Sequence, residues 1–382
     1  MNPSSVERPS SKHAALNHVH ELAGIEVLRF LCAFAILLWH YPHFFFVGEV
    51  DDTQLLAIRP ALPAHWLLQY LYAQGWCAVQ VFWCISGFIF YWRYARQISD
   101  RRIEMMEFAA RRFSRLYPLH IVTLILVALL QYLYFRSHGQ NFVVSDTSTG
   151  AFLAQLFFAS NWFDWQSESF NAPIWSISVE ILVYFGFFYT MRAIGANAMV
   201  AIALRGVSFA LLYSGFSLFH MKKVSECVVL FFAGGTAQLL SKQRYALLIS
   251  VFVATAIVAL LAVDVIHINL GVVVILAVCL VLCFARFGEM KSGSFLKHAA
   301  FLGNATYSSY LIHFPIQLGM VTILDAVDYS RTVFFSPIAL VAYLALVVVT
   351  SLVVFHLFEA PAQDWLRSYA FRASKTRLST GT

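Results

Sequence analysis

Long stretches of this chain are mainly apolar and show no alternation of apolar with polar residues; Leu119–Leu130 is one of them. Such a run does not fit a strand of a membrane barrel, where the two kinds of residue alternate. It fits a helix, which satisfies its own backbone polar groups inside lipid. Composition agrees. Of 382 residues, 60% are hydrophobic and only 12% are Asp, Glu, Lys or Arg, about half the roughly 25% of a soluble domain. So few charges cannot cover a water-facing surface, which excludes a soluble globular enzyme, and a chain this apolar is not disordered. Six cysteines are too sparse for a disulfide scaffold. None forms Cys-x-x-Cys, and no His or acid completes a metal set beside Cys279 and Cys283. They read as small buried apolar residues, and no metal is expected. The expected fold class is all-α, a polytopic membrane helix bundle.

At about 20 residues per crossing, about ten spans are expected, near 25–46, 67–92, 115–136, 172–191, 198–218, 225–240, 245–263, 267–286, 300–323 and 334–358. The 225–240 segment is short and carries Gly234-Gly235, a possible break. Residues 151–160 are too short to cross and read as a re-entrant or interfacial piece. Residues 1–23 form a polar tail, 24–361 the membrane domain and 362–382 a second tail. The first apolar run is too long for a signal peptide and contains Arg29, so no cleavage is expected. Most of the 26 basic residues fall in 93–115, in 286–297 and in the tails. Basic loops stay on the cytoplasmic side, so both termini are expected there. Lys222-Lys223 runs against the bias. The opposite loops, 47–66 and 137–171, carry acids, Asn and Trp, which suit a carbohydrate and equally suit an interfacial belt. The net charge of +6 is explained by this topology, and no nucleic acid is expected as a partner.

Polar residues inside apolar spans are costly and default to a functional role. Arg29 and His40 are eleven residues apart in the first span, so they share a helix face about 16 Å apart along the axis. Arg29 fits either a role in chemistry or snorkelling to the interface. His40 fits either a catalytic base or an interhelical hydrogen bond. In Arg111-Arg112-Phe-Ser-Arg115-Leu-Tyr-Pro118, Arg112 and Arg115 meet on one face. Their guanidinium forks can grip phosphate; a positive-inside stop or a lipid-headgroup contact accounts for them as well. Ser86-Gly87-Phe88 reads first as a close helix-packing point. Asn171-Ala-Pro-Ile-Trp175-Ser176-Ile-Ser178-Val-Glu180 places an acid in an apolar helix, where it needs a partner. Thr306-Tyr307-Ser-Ser-Tyr310-Leu-Ile-His313-Phe-Pro315 holds a second intramembrane His, and Phe358-Glu359-Ala-Pro361 closes the last span.

In this order, these residues resemble the acyltransferase-3 family of integral membrane O-acyltransferases, over residues 25–361. Each motif is weak alone. The family's Arg-x10-His falls on Arg29 and His40, and its Ser-Gly-Phe on Ser86, Gly87 and Phe88. Its Arg-x-x-Arg falls on Arg112 and Arg115, its Trp-Ser-x-Ser-x-Glu on Trp175, Ser176, Ser178 and Glu180. Its last Tyr-x-x-Tyr-Leu-x-His-Phe-Pro falls on Tyr307, Tyr310, His313 and Pro315. Three positions depart from the pattern: Ile181 replaces a second acid, Thr306 a Ser, and Ala362-Gln363-Asp364 the basic residues after Pro361. Some members carry a fused esterase-like domain; this chain resembles the stand-alone type.

The resemblance implies transfer of an acyl group, usually acetyl from acetyl-CoA, to a hydroxyl of a bacterial cell-surface or exported saccharide or glycolipid, in the bacterial cell membrane. On that reading Arg112 and Arg115, with Arg111, hold the CoA phosphates. His40 is the general base or a transient acyl carrier, and Arg29 orients the thioester or steadies its oxyanion. Glu180 and His313 orient His40 or the acceptor. Ser86, Gly87, Trp175, Ser176 and Tyr310 serve as substrate-contacting or structural residues. The rival class is a multi-pass transporter or flippase of a lipid-linked sugar. It fits the same spans and intramembrane charges, but a transporter more often shows inverted repeats, and the sequence shows no convincing one.

Overall fold

The structure is a computed structural model that describes residues 11–164, 166–195, 221–290 and 305–379, with positions 206, 298, 301 and 303. The apolar runs form helices: α1 (Ser11–His40), α2 (His65–Gln74), α3 (Cys77–Phe90), α4 (Met105–His138), α5 (Ile174–Ile194), α6 (Lys222–Leu240), α7 (Ala246–Ala262), α8 (Leu270–Met290), α9 (Thr306–Ala326), α10 (Pro337–Val354) and α11 (Ala360–Ser379). Among the described residues there is no strand, only an isolated bridge between Asp146 and Ser169. Large apolar side chains such as Leu129, Phe252, Ile338 and Val349 are exposed on the outside of the bundle. A soluble protein would carry charge there; lipid requires the opposite.

Six helices among the described residues are long and apolar enough to cross a membrane, and a bent pair adds a seventh. The difference from about ten has local reasons. The expected span at 198–218 lies outside the described residues. The span expected at 67–92 is broken into α2 and α3, bent by 61°. Gly75 sits at the break, where a Cβ would lie 2.5 Å from the Ala35 carbonyl oxygen and 2.7 Å from Cβ of Trp39. Helix α2 therefore presses against α1 just before His40. Helix α7 has 17 residues, at the short end of the range for a crossing, and is not among the six. Helix α9 has 21 residues but buries Ser308, Ser309, His313 and Gln317, which lowers its hydropathy. Residues 151–160 hold a short helix, Thr149–Leu156.

Gly234-Gly235 does not break its helix; α6 runs uninterrupted. A Cβ on Gly87 would lie 1.7 Å from the Phe231 carbonyl oxygen, and one on Gly234 would lie 1.8 Å from that of Cys84. The two glycines let α3 and α6 touch backbone to backbone, the role small residues play between membrane helices. Lys222-Lys223, the charge-bias exception, meets acids of the 137–171 loop: the Lys222 backbone N–H donates to Asp164 (2.9 Å), and Lys223 lies 3.7 Å from Glu168.

Two apolar cores fill the bundle. One joins α3, α5, α6 and α8 to the first part of α1 and the start of α9. The other joins the end of α1 to α4, α10 and the rest of α9. They change over between Ile36 and Leu37 on α1 and between Ile312 and Phe314 on α9. His313 lies on that seam, and His40 lies close to it.

Candidate active site

Pro315 sits inside α9 and lacks the N–H that would bond the carbonyl of Leu311 four residues back. The Asn171 side-chain amide donates to that carbonyl instead, at 3.2 Å. The Asn-Ala-Pro-Ile-Trp-Ser segment thus docks on the His-Phe-Pro segment. Beside it, Ser176 and Tyr310 share a hydroxyl hydrogen bond of 2.7 Å. Ser178 is structural: its hydroxyl donates to the Phe158 carbonyl at 2.8 Å, tying the 137–171 loop to α5. Trp175 packs edge-on against Trp83, ring centroids 5.7 Å apart, and takes the Lys223 ammonium 4.8 Å from its own ring centroid.

A cavity of about 320 Å³ opens between α1, α3, α4, α5 and α9. Arg29, Arg112 and Arg115 line it, with Ser86, Ser176, Glu180 and Tyr310. Most of the expected site residues therefore line one cavity. Arg29 does not snorkel: its side chain is mostly buried, and Nη1 donates to both Glu26 carboxylate oxygens at 3.0 and 2.7 Å. Arg112 donates to the Tyr94 hydroxyl and lies 4.9 Å from the ring centroids of both Phe90 and Tyr94, so its guanidinium is held before any ligand arrives. Tyr94 belongs to a π-helical turn, Tyr91–Ala95, a distortion that recurs at functional sites. The same turn puts Trp92 and Arg93 on the cavity wall. Arg115 lies within electrostatic range of Arg29, Arg112, Glu26 and Glu359. Glu359 is buried and accepts from Ser308. Glu180 is hydrogen-bonded by Ser86 and Tyr184, while its Oε1 is buried with no partner among the described residues.

Arg111 and Gly87 do not line the cavity. Arg111 pairs with Glu107 at 2.5 Å, one turn back on α4, and Gly87 faces α6. His40 and His313 also lie off the cavity wall. They face each other behind Tyr310: the Tyr310 and His313 ring centroids are 6.0 Å apart, and those of His313 and His40 are 5.1 Å apart. His313 Nδ1 is 3.3 Å from the Ser309 carbonyl, and Nε2 is buried with no partner among the described residues. Gln317 donates to the His40 carbonyl at 3.0 Å. Glu180 is grouped with Ser86 and Tyr184, not with the imidazoles.

Sequence reasoning missed His43, whose Nδ1 lies 3.3 Å from His40 Nδ1, and Glu26, the partner of Arg29. Both sit three residues from a residue already singled out, the spacing at which helical neighbours meet. It also missed Arg331 beyond α9. Arg331 donates to Asp325 (2.9 Å), to the Tyr134 hydroxyl (2.9 Å) and to the Phe46 carbonyl (2.5 Å). His138 reaches the same Asp325 at 3.0 Å. This cluster anchors the segment just after His43.

Among the described residues, no group of three or more His, Cys, Asp or Glu side chains could hold a metal ion.

A family model described as an acyltransferase domain matches residues 22–356, and the chain belongs to that family. The chain is also similar to the acyltransferase MdmB of Streptomyces mycarofaciens, 26% identical over 172 residues, which cover 44% of this chain and 39% of that relative. The chain therefore matches well under two thirds of the relative's length. No solved structure matches.

Proposed function

We propose that this member of the acyltransferase domain family moves an acyl group, in the first instance acetyl, from cytoplasmic acyl-CoA to a hydroxyl of a cell-surface or exported saccharide. One observation carries the reading. Arg29, Arg112 and Arg115 converge on a single cavity, and its Tyr310 wall backs onto the His40–His313 pair.

Acyl-CoA is a substrate with a polyanionic end and a reactive thioester end. Arg112 and Arg115 take the phosphates, because guanidinium forks match phosphate oxygens and remain charged. The aromatic cradle of Arg112 reduces the entropy lost on binding. The arm runs past Phe82, Ile85 and Ile89 to the hydroxyls of Ser176 and Tyr310, all on the cavity wall. Arg29 lies on the path, its charge partly balanced by Glu26, and orients the arm as the thioester moves towards His40. The thioester passes Tyr310 to reach His40. There the acceptor hydroxyl gives its proton to His40, its oxygen bonds the acyl carbon, and the carbon–sulfur bond breaks. His40 then returns the proton to the departing thiolate, leaving an ester and free CoA.

The basic end of the bundle faces the cytoplasm, where acyl-CoA is made, with both termini on that side of a bacterial inner membrane. The acceptor enters from the opposite end. The test uses the purified full chain in proteoliposomes with labelled acetyl-CoA and cell-surface glycan fragments. Labelled ester should form with the wild type and not with His40→Ala. Movement of unmodified acceptor across the bilayer without CoA turnover would replace this reading by transport.

A further inference from the structure

We infer that His43 is a positioning residue for His40: its Nδ1 accepts a hydrogen bond from His40 Nδ1–H and so leaves Nε2 as the bare nitrogen that acts as base. The inference rests on the reading of His40 as the base.

The local chain brings the two rings together. Pro42 lies in the first turn after His40, and the chain tightens there into a 3₁₀ helix, Tyr41–Phe45. In a 3₁₀ helix, residues three apart eclipse one another. His40, at the N-cap of that helix, therefore stands over His43, and the two Nδ1 atoms come within 3.3 Å. The turn is fixed from three sides. Gln317 holds the His40 carbonyl, the Tyr41 hydroxyl donates to the Phe334 carbonyl at 2.7 Å, and Arg331 holds the Phe46 carbonyl. His43 itself is buried.

Two imidazole nitrogens at that distance form a hydrogen bond only if one carries a proton and the other does not. For Nε2 of His40 to take a proton, Nδ1 must already hold one, and a buried N–H without an acceptor is costly. His43 Nδ1 is the acceptor this structure gives it. When His40 becomes an imidazolium, the same bond becomes charge-assisted and strengthens. His43 thus does for His40 what the aspartate of a serine-hydrolase triad does for its histidine, fixing tautomer and orientation. It does so without placing a second charge in the apolar interior, where an ion is expensive. The other titratable group against His40 is His313, on α9.

His43→Phe keeps the ring and removes the acceptor; His43→Asn puts an amide oxygen near the place of Nδ1. In proteoliposomes, His43→Phe should lower kcat for acyl transfer by about 10²-fold or more, with KM for acetyl-CoA unchanged, as loss of a tautomer partner does. His43→Asn should recover activity to within about tenfold of the wild type, because it restores the acceptor. If His43→Phe fails to reach the membrane folded, His43→Leu takes its place. A folded His43→Phe or His43→Leu within about threefold of wild-type kcat overturns the inference. So does a folded His43→Asn as impaired as the acceptor-free variant. His40→Ala, assayed alongside, separates the two levels. If it is inactive while His43→Phe is fully active, only the His43 inference falls. If it is active, the reading of His40 falls and takes His43 with it.

Discussion

The arginine cavity and the histidine seam are both polar and both enclosed by apolar helices, yet they are built in opposite ways. The cavity is open space of about 320 Å³, with charges of both signs contributed by several helices. His40 and His313 on the seam are not among the residues that line that space. His40, His43 and His313 stand ring to ring with centroids about 5 Å apart, held by backbone carbonyls and by a proline-driven change of helix type. Recognition of a long flexible anion needs room and several cations. Proton transfer needs two or three groups fixed within tenths of an ångström. Tyr310 belongs to both regions, since it lines the cavity and its ring lies beside that of His313.

This contrast can be broken by experiment. The largest effect is expected on the seam side: His40→Ala should reduce acyl transfer by about 10³-fold or more while leaving CoA affinity near that of the wild type. Weakened CoA binding in that variant would show that the two regions are not separate. Next, Arg112→Ala/Arg115→Ala should weaken CoA binding by about 10²-fold or more by titration calorimetry, since each of the two charge-assisted bonds contributes about 1.5–3 kcal/mol. Unchanged affinity would remove the cavity from donor binding. Third, Gly87→Ala should lower thermal stability in detergent, as overpacking of close-packed helices costs about 1–3 kcal/mol. Its loss of activity should follow the fraction unfolded. The smallest effect is expected for Glu180→Gln, which keeps the hydrogen-bonding shape and loses the charge. Its KM for acetyl-CoA should move by less than about tenfold with kcat near wild type. A collapse of kcat instead would join Glu180 to the seam.

The motifs carried much of the site. Ser86, Ser176, Glu180 and Tyr310 stand out as polar residues in apolar segments, and Arg112 and Arg115 as a basic pair on one helix face; all six line one cavity. Arg111 was grouped with them by adjacency alone. Consecutive residues on a helix point about 100° apart, and Arg111 turns away to Glu107. Glu26 and His43 were passed over although local spacing marks them. The link between Asn171 and the Leu311 carbonyl joins residues 140 apart in sequence, and no periodicity reveals it. The break at Gly75 is hidden for a similar reason: hydropathy records only that residues are apolar, while the bend sits where Gly75 closes on Ala35 and Trp39.

What the sequence determined by itself is the medium and the material. Sparse charge and uninterrupted apolar runs dictate helices in lipid, because no other open backbone is satisfied there. They also oblige each intramembrane Arg, His and Glu to find a partner. What the tertiary structure alone decided is which partner each one found. Arg29 went to Glu26, Glu180 to Ser86 and Tyr184, and His40 to His43 and His313. Those choices divide a row of similar polar residues into a cavity and a seam. They depend on helix packing, glycine contacts and a proline-induced turn, whose geometry is set by residues distant in the chain.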